Sequence, residues 1–259
     1  PPPSSPPPSL PSPPMLPPSS PPPLLPFDMP RSMLGWWREG TWELGASSWP
    51  DSSGNGNHAT IYGSGVSTSQ LTGHGAPRAV DALTGSPATK INFGSVIKGT
   101  FTLCSLTRYT GSTRRRILQG GGSNWLHGHW AGRAGVIHYG GWVTDSASTI
   151  SPVTNWAAIC STNGGTSANK GKLINGVDRG VSPGGTGGVS LKINDGQLPG
   201  ESSDFAVAEV AVWQRALSIE EMLRVYDHQR YNILRNDQPP SAPPSPPSLP
   251  PPSPPPSPP

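Results

Sequence analysis

The stretch Asp204–Tyr226, DFAVAEVAVWQRALSIEEMLRVY, holds two elements of different period. From Phe205 to Trp213 the side chains alternate: Phe205, Val207, Glu209, Ala211 and Trp213 on one face, Ala206, Ala208, Val210 and Val212 on the other. Period two with Val and aromatic residues predicts a strand, and two apolar faces predict a buried one. The period then changes. Ser218 is a good N-cap and Glu221 follows three residues later, the capping-box spacing. Ile219, Met222, Leu223 and Tyr226 fall on one face of a short helix. The pattern would also suit an isolated strand–helix unit of an α/β protein, but strand–helix alternation is absent elsewhere. The rest of the chain therefore reads as a β structure that this strand and helix close.

The 259 residues include 36 prolines, unevenly spread: 15 lie in residues 1–26 and 14 in 239–259. These flanks are uncharged Pro/Ser segments that cannot form a core. Polyproline II is their expected conformation, and at about 3.1 Å per residue the first flank would reach on the order of 80 Å. They read as spacers, docking ligands or scaffolds for glycans. Residues 27–238 hold all nine Trp, both Cys and the glycines, a length that suits one β-sandwich domain. The opening PPPSS carries no signal-peptide pattern, so a mature chain or a segment of a longer one is expected.

The net charge is +3 and the basic residues are scattered. The one run, Arg114-Arg115-Arg116, is expected in a solvated loop, because nucleic-acid binding needs a broader basic surface. No apolar run has membrane-spanning length. Neither nucleic acid nor membrane insertion is expected.

Short alternating segments fill the middle. Met33–Trp37, Ala88–Phe93, Phe101–Tyr109, Arg116–Gln119, Asn124–Trp130, Gly135–Tyr139, Gly141–Thr144 and Asn155–Thr162 read as strands, and Lys172–Val177 as a hairpin turning on Asn175-Gly176. Many short strands between Gly-rich turns predict a sandwich or jelly roll.

Several residues are candidates for chemistry. Asp51, Asn55 and Asn57 lie in the turn Asp51-Ser52-Ser53-Gly54-Asn55-Gly56-Asn57, either as oxygen ligands for calcium or as residues that bond local backbone. His127 and His129 share one strand face and would suit a metal, or packing with hydrogen bonds. Trp125, Trp130 and Trp142 would stack on sugar rings if exposed, or fill the core if not. Cys104 and Cys160 each lie in a strand pattern. Facing across a sandwich in an oxidising compartment they would pair; otherwise they are buried thiols.

Phe101-Thr102-Leu103-Cys104, Ala158-Ile159-Cys160-Ser161, the Leu173–Val177 hairpin and the closing strand and helix together resemble the pentraxin and laminin-G-like group of concanavalin-A-like jelly rolls, over about residues 30–230. The turn at Asp51–Asn57 is similar to one near the start of many laminin-G-like domains. The resemblance implies an all-β jelly-roll sandwich with a short C-terminal helix, and a Cys104–Cys160 disulfide. The acidic calcium cluster of pentraxins is reduced here to Asp195 in Lys192-Ile193-Asn194-Asp195-Gly196-Gln197, so no cofactor is expected, calcium being the one candidate. Glucanases of this fold carry closely spaced catalytic carboxylates on one strand. No such pattern occurs here and Glu209 stands alone, which argues against an enzyme.

The flanks resemble hydroxyproline-rich glycoproteins of green-algal cell walls and cilia. That likeness implies O-glycans on hydroxylated prolines such as Pro2, Pro7, Pro22, Pro244, Pro251 and Pro255, and a site outside the cell or on its surface. The chain has no Asn-x-Ser/Thr acceptor. The role expected from these likenesses is a subunit of an extracellular glycoprotein fibre. Its jelly roll would self-associate into a filament and its stalks would act as spacers. The competing role is a lectin-like module that binds glycans from a Pro-rich stalk.

Overall fold

The computed structural model describes residues 29–167 and 171–235. Both Pro-rich stalks, with Pro2, Pro7, Pro22, Pro244, Pro251 and Pro255, lie outside the described residues. Fifteen strands occur among the described residues: β1 Met33–Trp37, β2 Ser48–Trp49, β3 Ala59–Gly63, β4 Ser67–Gly73, β5 Ala76–Gly85, β6 Thr89–Ile97, β7 Thr102–Tyr109, β8 Leu118–Gly121, β9 Trp125–Trp130, β10 Arg133–Tyr139, β11 Ala157–Thr162, β12 Gly171–Ile174, β13 Val177–Val181, β14 Val189–Ile193 and β15 Phe205–Trp213. Helix α1, Ile219–His228, follows and ends in a π turn at Gln229–Ile233.

The strands form two antiparallel sheets packed as a jelly-roll sandwich. The first runs β13-β12-β11-β7-β15-β5-β4, with β1 also pairing β15; the second runs β10-β9-β8-β14-β6-β3-β2. Strand β15 sits in the middle of the first sheet and is buried along all nine residues. It pairs with β7 on one side, and with β5 and then β1 on the other. This is why its sequence is apolar on both faces.

Its alternation is not continuous. Pairing with β7 shifts between Val207 and Glu209, a bulge that puts one extra residue into β15. The inward set becomes Phe205, Val207, Val210 and Val212, packed between the sheets. Ala206, Ala208, Ala211 and Trp213 belong to clusters on the outer side. The expected single face from Phe205 to Trp213 is therefore split. Glu209, at the break, lies beneath α1.

Ser218 and Glu221 form the capping box: Ser218 Oγ accepts from the Glu221 N–H at 3.2 Å, and Glu221 Oε2 accepts from the Ser218 N–H at 3.0 Å. Arg215 adds a bidentate pair to the same carboxylate at 2.8 and 2.7 Å. The helix buries Met222 and Val225 over Cys104, Cys160, Leu173 and Trp213. Each such side chain stabilises the docking by about 1.5–3 kcal/mol. The inter-sheet core is aromatic: Trp37 meets Phe93 edge-on at 4.7 Å, and Trp125 stacks on Tyr139 at 4.5 Å.

Cys104 and Cys160 form the disulfide, as directly opposed residues of β7 and β11 with Cα atoms 4.1 Å apart. The bond joins neighbouring strands of one sheet and does not cross the sandwich. The hairpin turn is as expected: Asn175 and Gly176 both have positive φ, at 46° and 75°. The Tyr226 ring of α1 lies against Gly176, where a Cβ would collide with it.

Three further points differ from the sequence reading. Gly141–Thr144 forms only an isolated bridge, His138 to Trp142, because Gly140 turns the chain at φ 74° and the segment is held as a loop. Arg116 is buried and pairs with Glu201 at 3.4 Å, so the basic run is not wholly solvated. Strands β2, β3, β4, β5 and β14 are additional; β4 is a largely polar edge strand without an apolar alternation to reveal it.

Candidate functional site

The loop after β10 is stitched back onto that strand. Thr144 Oγ1 accepts from the Ile137 N–H at 2.9 Å, the Val143 N–H donates to Ile137 O at 3.0 Å, and Thr149 Oγ1 donates to Gly135 O at 2.9 Å. This holds Trp142 outward, 41% exposed. Trp130, at the end of β9, lies 5.3 Å from it, ring to ring. The Arg133 guanidinium sits over the Trp130 ring at 4.9 Å, and His138 meets Trp142 edge-on at 5.1 Å. Below Trp142 is a cleft of about 340 Å³ lined by Val143, Thr144, Asp145, Thr149, Lys172 and Arg179. Lys172 comes from β12 and donates to Val143 O at 3.0 Å; Arg179 comes from β13 and is exposed. The cleft thus lies where the β10 edge of one sheet approaches the β12–β13 edge of the other. It offers an aromatic face, two hydroxyls, one carboxylate and two cations.

Trp125 does not belong with Trp130 and Trp142. It is fully buried, stacked on Tyr139, and donates from Nε1 to Thr186 O at 3.1 Å. It is a core residue with no free face for a sugar.

His127 and His129 are fully buried between the sheets. The Tyr139 hydroxyl donates to His127 Nδ1 at 2.7 Å, and His127 Nε2–H donates to Ile159 O at 3.4 Å. His129 packs edge-on to Tyr109 at 4.6 Å. Burial pushes both imidazoles down to about 3, keeping them neutral at ordinary pH. Among the described residues no three His, Cys, Asp or Glu side chains are grouped to hold a metal ion.

The Asp51–Asn57 turn ties β1 to β3. Asp51 accepts from the N–H groups of Trp36, Ser53 and Asn57 at 2.9, 2.8 and 3.0 Å, and from the Ser53 hydroxyl at 2.8 Å. Burial pushes its carboxyl up, but these four donors hold it below the usual carboxylate value. Asn55 and Asn57 turn their amide N–H groups to the carbonyls of Met33 and Leu34, both at 2.7 Å. Asp195 is elsewhere, on the outer face of the seven-stranded sheet. There it accepts from Lys192 Nζ at 2.6 Å, Lys90 Nζ at 3.2 Å and Tyr62 Oη at 2.6 Å. Burial raises the Asp195 carboxyl, and these partners outweigh it, holding it down at about 2.

Glu209 does not stand alone. Trp36 Nε1 and His228 Nε2 donate to its Oε2 at 3.0 and 2.9 Å, and Gln229 Nε2 donates to Oε1 at 3.0 Å. Asn232 donates in turn to His228 Nδ1 at 2.9 Å, which fixes the proton on Nε2. Burial raises the Glu209 carboxyl, but His228, Trp36 and Gln229 bring it below its ordinary value. Glu39 lies close by, and burial together with the charges of Asp81 and Glu209 pushes it up to about 7. Glu209 is wholly inaccessible with both oxygens occupied, so this cluster anchors α1 and offers no carboxylate to a substrate.

The chain matches no protein-family model and no curated protein. Several solved structures are similar to it. Domain 4 of AbnA, a GH43 extracellular arabinanase from Geobacillus stearothermophilus solved in complex with arabinotriose, is 14% identical with a TM-score of 0.52, over 75% of this chain and 98% of that domain. A mutant Trypanosoma rangeli sialidase displaying trans-sialidase activity is 12% identical with a TM-score of 0.47, over 76% of this chain and 33% of the sialidase. The ligand binding domain of botulinum neurotoxin serotype D, in complex with N-acetylneuraminic acid, is 14% identical with a TM-score of 0.47, over 76% and 51%. The arabinanase domain shows the fold: it is spanned almost whole by this one sandwich.

Proposed function

We propose that the jelly roll is a carbohydrate-binding module, and that the Trp130–Trp142 cleft holds the sugar. One observation carries this reading: an exposed tryptophan, pinned by a stitched loop, stands over a cleft of hydroxyls, a carboxylate and two cations. Sugar rings present an apolar C–H face and a rim of hydroxyls. An aromatic ring takes the first, while charged and hydroxyl groups take the second. The arabinotriose bound to the arabinanase domain supports the same use of this fold. The disulfide suits an oxidising compartment, and the arabinanase whose domain shares the fold is extracellular, which agrees with a site outside the cell. No helix among the described residues is long and apolar enough to cross a membrane.

The Pro-rich flanks favour a second element of the reading: glycosylated spacers that carry the module, in a fibre if copies self-associate. Light scattering on the natively glycosylated chain tests assembly; a persistent monomer removes the fibre. The binding reading is tested by a glycan array probed with the wild type and Trp142→Ala. Specific binding lost in the variant supports it. Binding unchanged by the substitution, or no binding at all, overturns it.

A further inference from the structure

The cleft occupies one corner of a larger surface. Helix α1 packs against β11 and β12, on the outer side of the eight-stranded sheet. The outer side of the seven-stranded sheet carries part-exposed polar residues: Thr60 and Tyr62 on β3, Lys90 and Asn92 on β6, Ser190 and Lys192 on β14. Register puts them on one face, since Tyr62 opposes Lys90 while Thr60 and Lys192 both oppose Asn92. The same face continues to His138 of β10 and, through its bridge, to Trp142. From β3 to β10 is five strand spacings, about 24 Å. An exposed aromatic stands at each end: Tyr62 at 38% and Trp142 at 41%.

Gln119 and Leu126, the outward residues of β8 and β9 between Lys192 and His138, are buried, so the open floor lies at the Gly121 end of β8. Gly121 opposes Ser190, and the Lys192 stem lies beside it. In the middle, two ammonium groups share the single Asp195 carboxylate, which leaves one positive charge over. At the Trp142 end, Arg133 lies over Trp130, and Lys172 and Arg179 line the cleft with Asp145 as its one carboxylate among the described residues. The track is therefore net cationic along its length.

We infer that this face binds an extended acidic polysaccharide, a chain carrying carboxylates or sulfates, which runs from the Trp142 cleft across β8, β14 and β6 to Tyr62. The inference rests on the cleft being a sugar site and adds the ligand's charge and length. Tyr62 is a far platform, reached by long chains and out of reach of short ones. Lys90 and Lys192 supply the charge complementarity, strongest at low salt.

Calorimetry with digalacturonate, octagalacturonate and the neutral octamer of a β-glucan tests it. Octagalacturonate should bind more tightly than digalacturonate and than the neutral octamer, and weaken as salt rises. Tyr62→Ala should cost about tenfold on octagalacturonate and nothing on digalacturonate. Lys90→Gln, at a part-exposed site, should flatten the salt dependence for the octamer. Trp142→Ala should weaken both acidic ligands. If Trp142→Ala weakens both while Tyr62→Ala leaves octagalacturonate unchanged, the extended track is wrong and the cleft stands. If the neutral octamer binds as tightly as the acidic one, the charge assignment is wrong. If Trp142→Ala alters neither ligand, the cleft reading itself fails.

Discussion

The two outer faces of the sandwich treat a carboxylate in opposite ways. On the eight-stranded side, α1 closes over Glu209, and Trp36, His228 and Gln229 all donate to it. On the seven-stranded side, Asp195 meets Tyr62, Lys90 and Lys192 where water still reaches them. A buried charge must have every lone pair occupied, so it becomes part of the fold and is unavailable to a ligand. An exposed charge gains little from its partners and can exchange them. The covered face is therefore where stability is held, and the open face is where binding can occur.

Substitutions on the covered face should have the largest effects. Glu209→Ala leaves three donors facing an empty, dry site and should cost about 3–5 kcal/mol in urea unfolding. A cost under about 1 kcal/mol would mean that the network is not what anchors α1. Replacing both Cys104 and Cys160 by Ala should cost about 2–4 kcal/mol, since their bond closes a loop of 56 residues in separation. Retention of full stability would show that α1 and β7 hold this face without it.

The histidines sharpen the contrast through pH. His127 and His129 are held neutral down to about 3 in the fold, while an unfolded histidine protonates near 6.5. Below about 6.5 the unfolded state gains the protons, so stability should fall with acidification, by about 1.4 kcal/mol per pH unit for each histidine. Glu209 adds to this on the acid side: its depressed carboxyl stabilises above the unfolded value, and that support is lost as pH falls through the folded one. Glu39 acts with the opposite sign. Its raised carboxyl stabilises below the unfolded value of 4.5, and the benefit is lost as pH rises towards about 7. Glu39→Gln should therefore flatten the neutral limb of the stability profile. An unchanged profile would remove Glu39 from the cluster. On the open face, Tyr62→Ala and Lys90→Gln should move stability by no more than about 0.5 kcal/mol.

What was legible in the sequence follows the same division. The closing strand and helix were readable because a change of period and a capping box are local signals. The Asn175-Gly176 turn was readable for the same reason, whereas the cysteine pairing followed only from the family resemblance, and its place within one sheet was not legible. The bulge was hidden because β15 is apolar on both faces, and a phase shift leaves no mark in such a run. The Asp195 hub was hidden because it joins residues 105 and 133 positions apart. Of the three tryptophans, Trp125 could not be told from Trp130 and Trp142 by residue type. Only the packing against Tyr139 and Phe101 decides it.

The most direct measurement is the affinity of the full chain for an acidic oligosaccharide, before and after Trp142→Ala, with unfolding followed in parallel. We expect binding to fall at least about tenfold while the unfolding midpoint stays put, because Trp142 stands outside the core. Equal affinity in the two proteins, with both folded, would contradict a sugar site at this cleft.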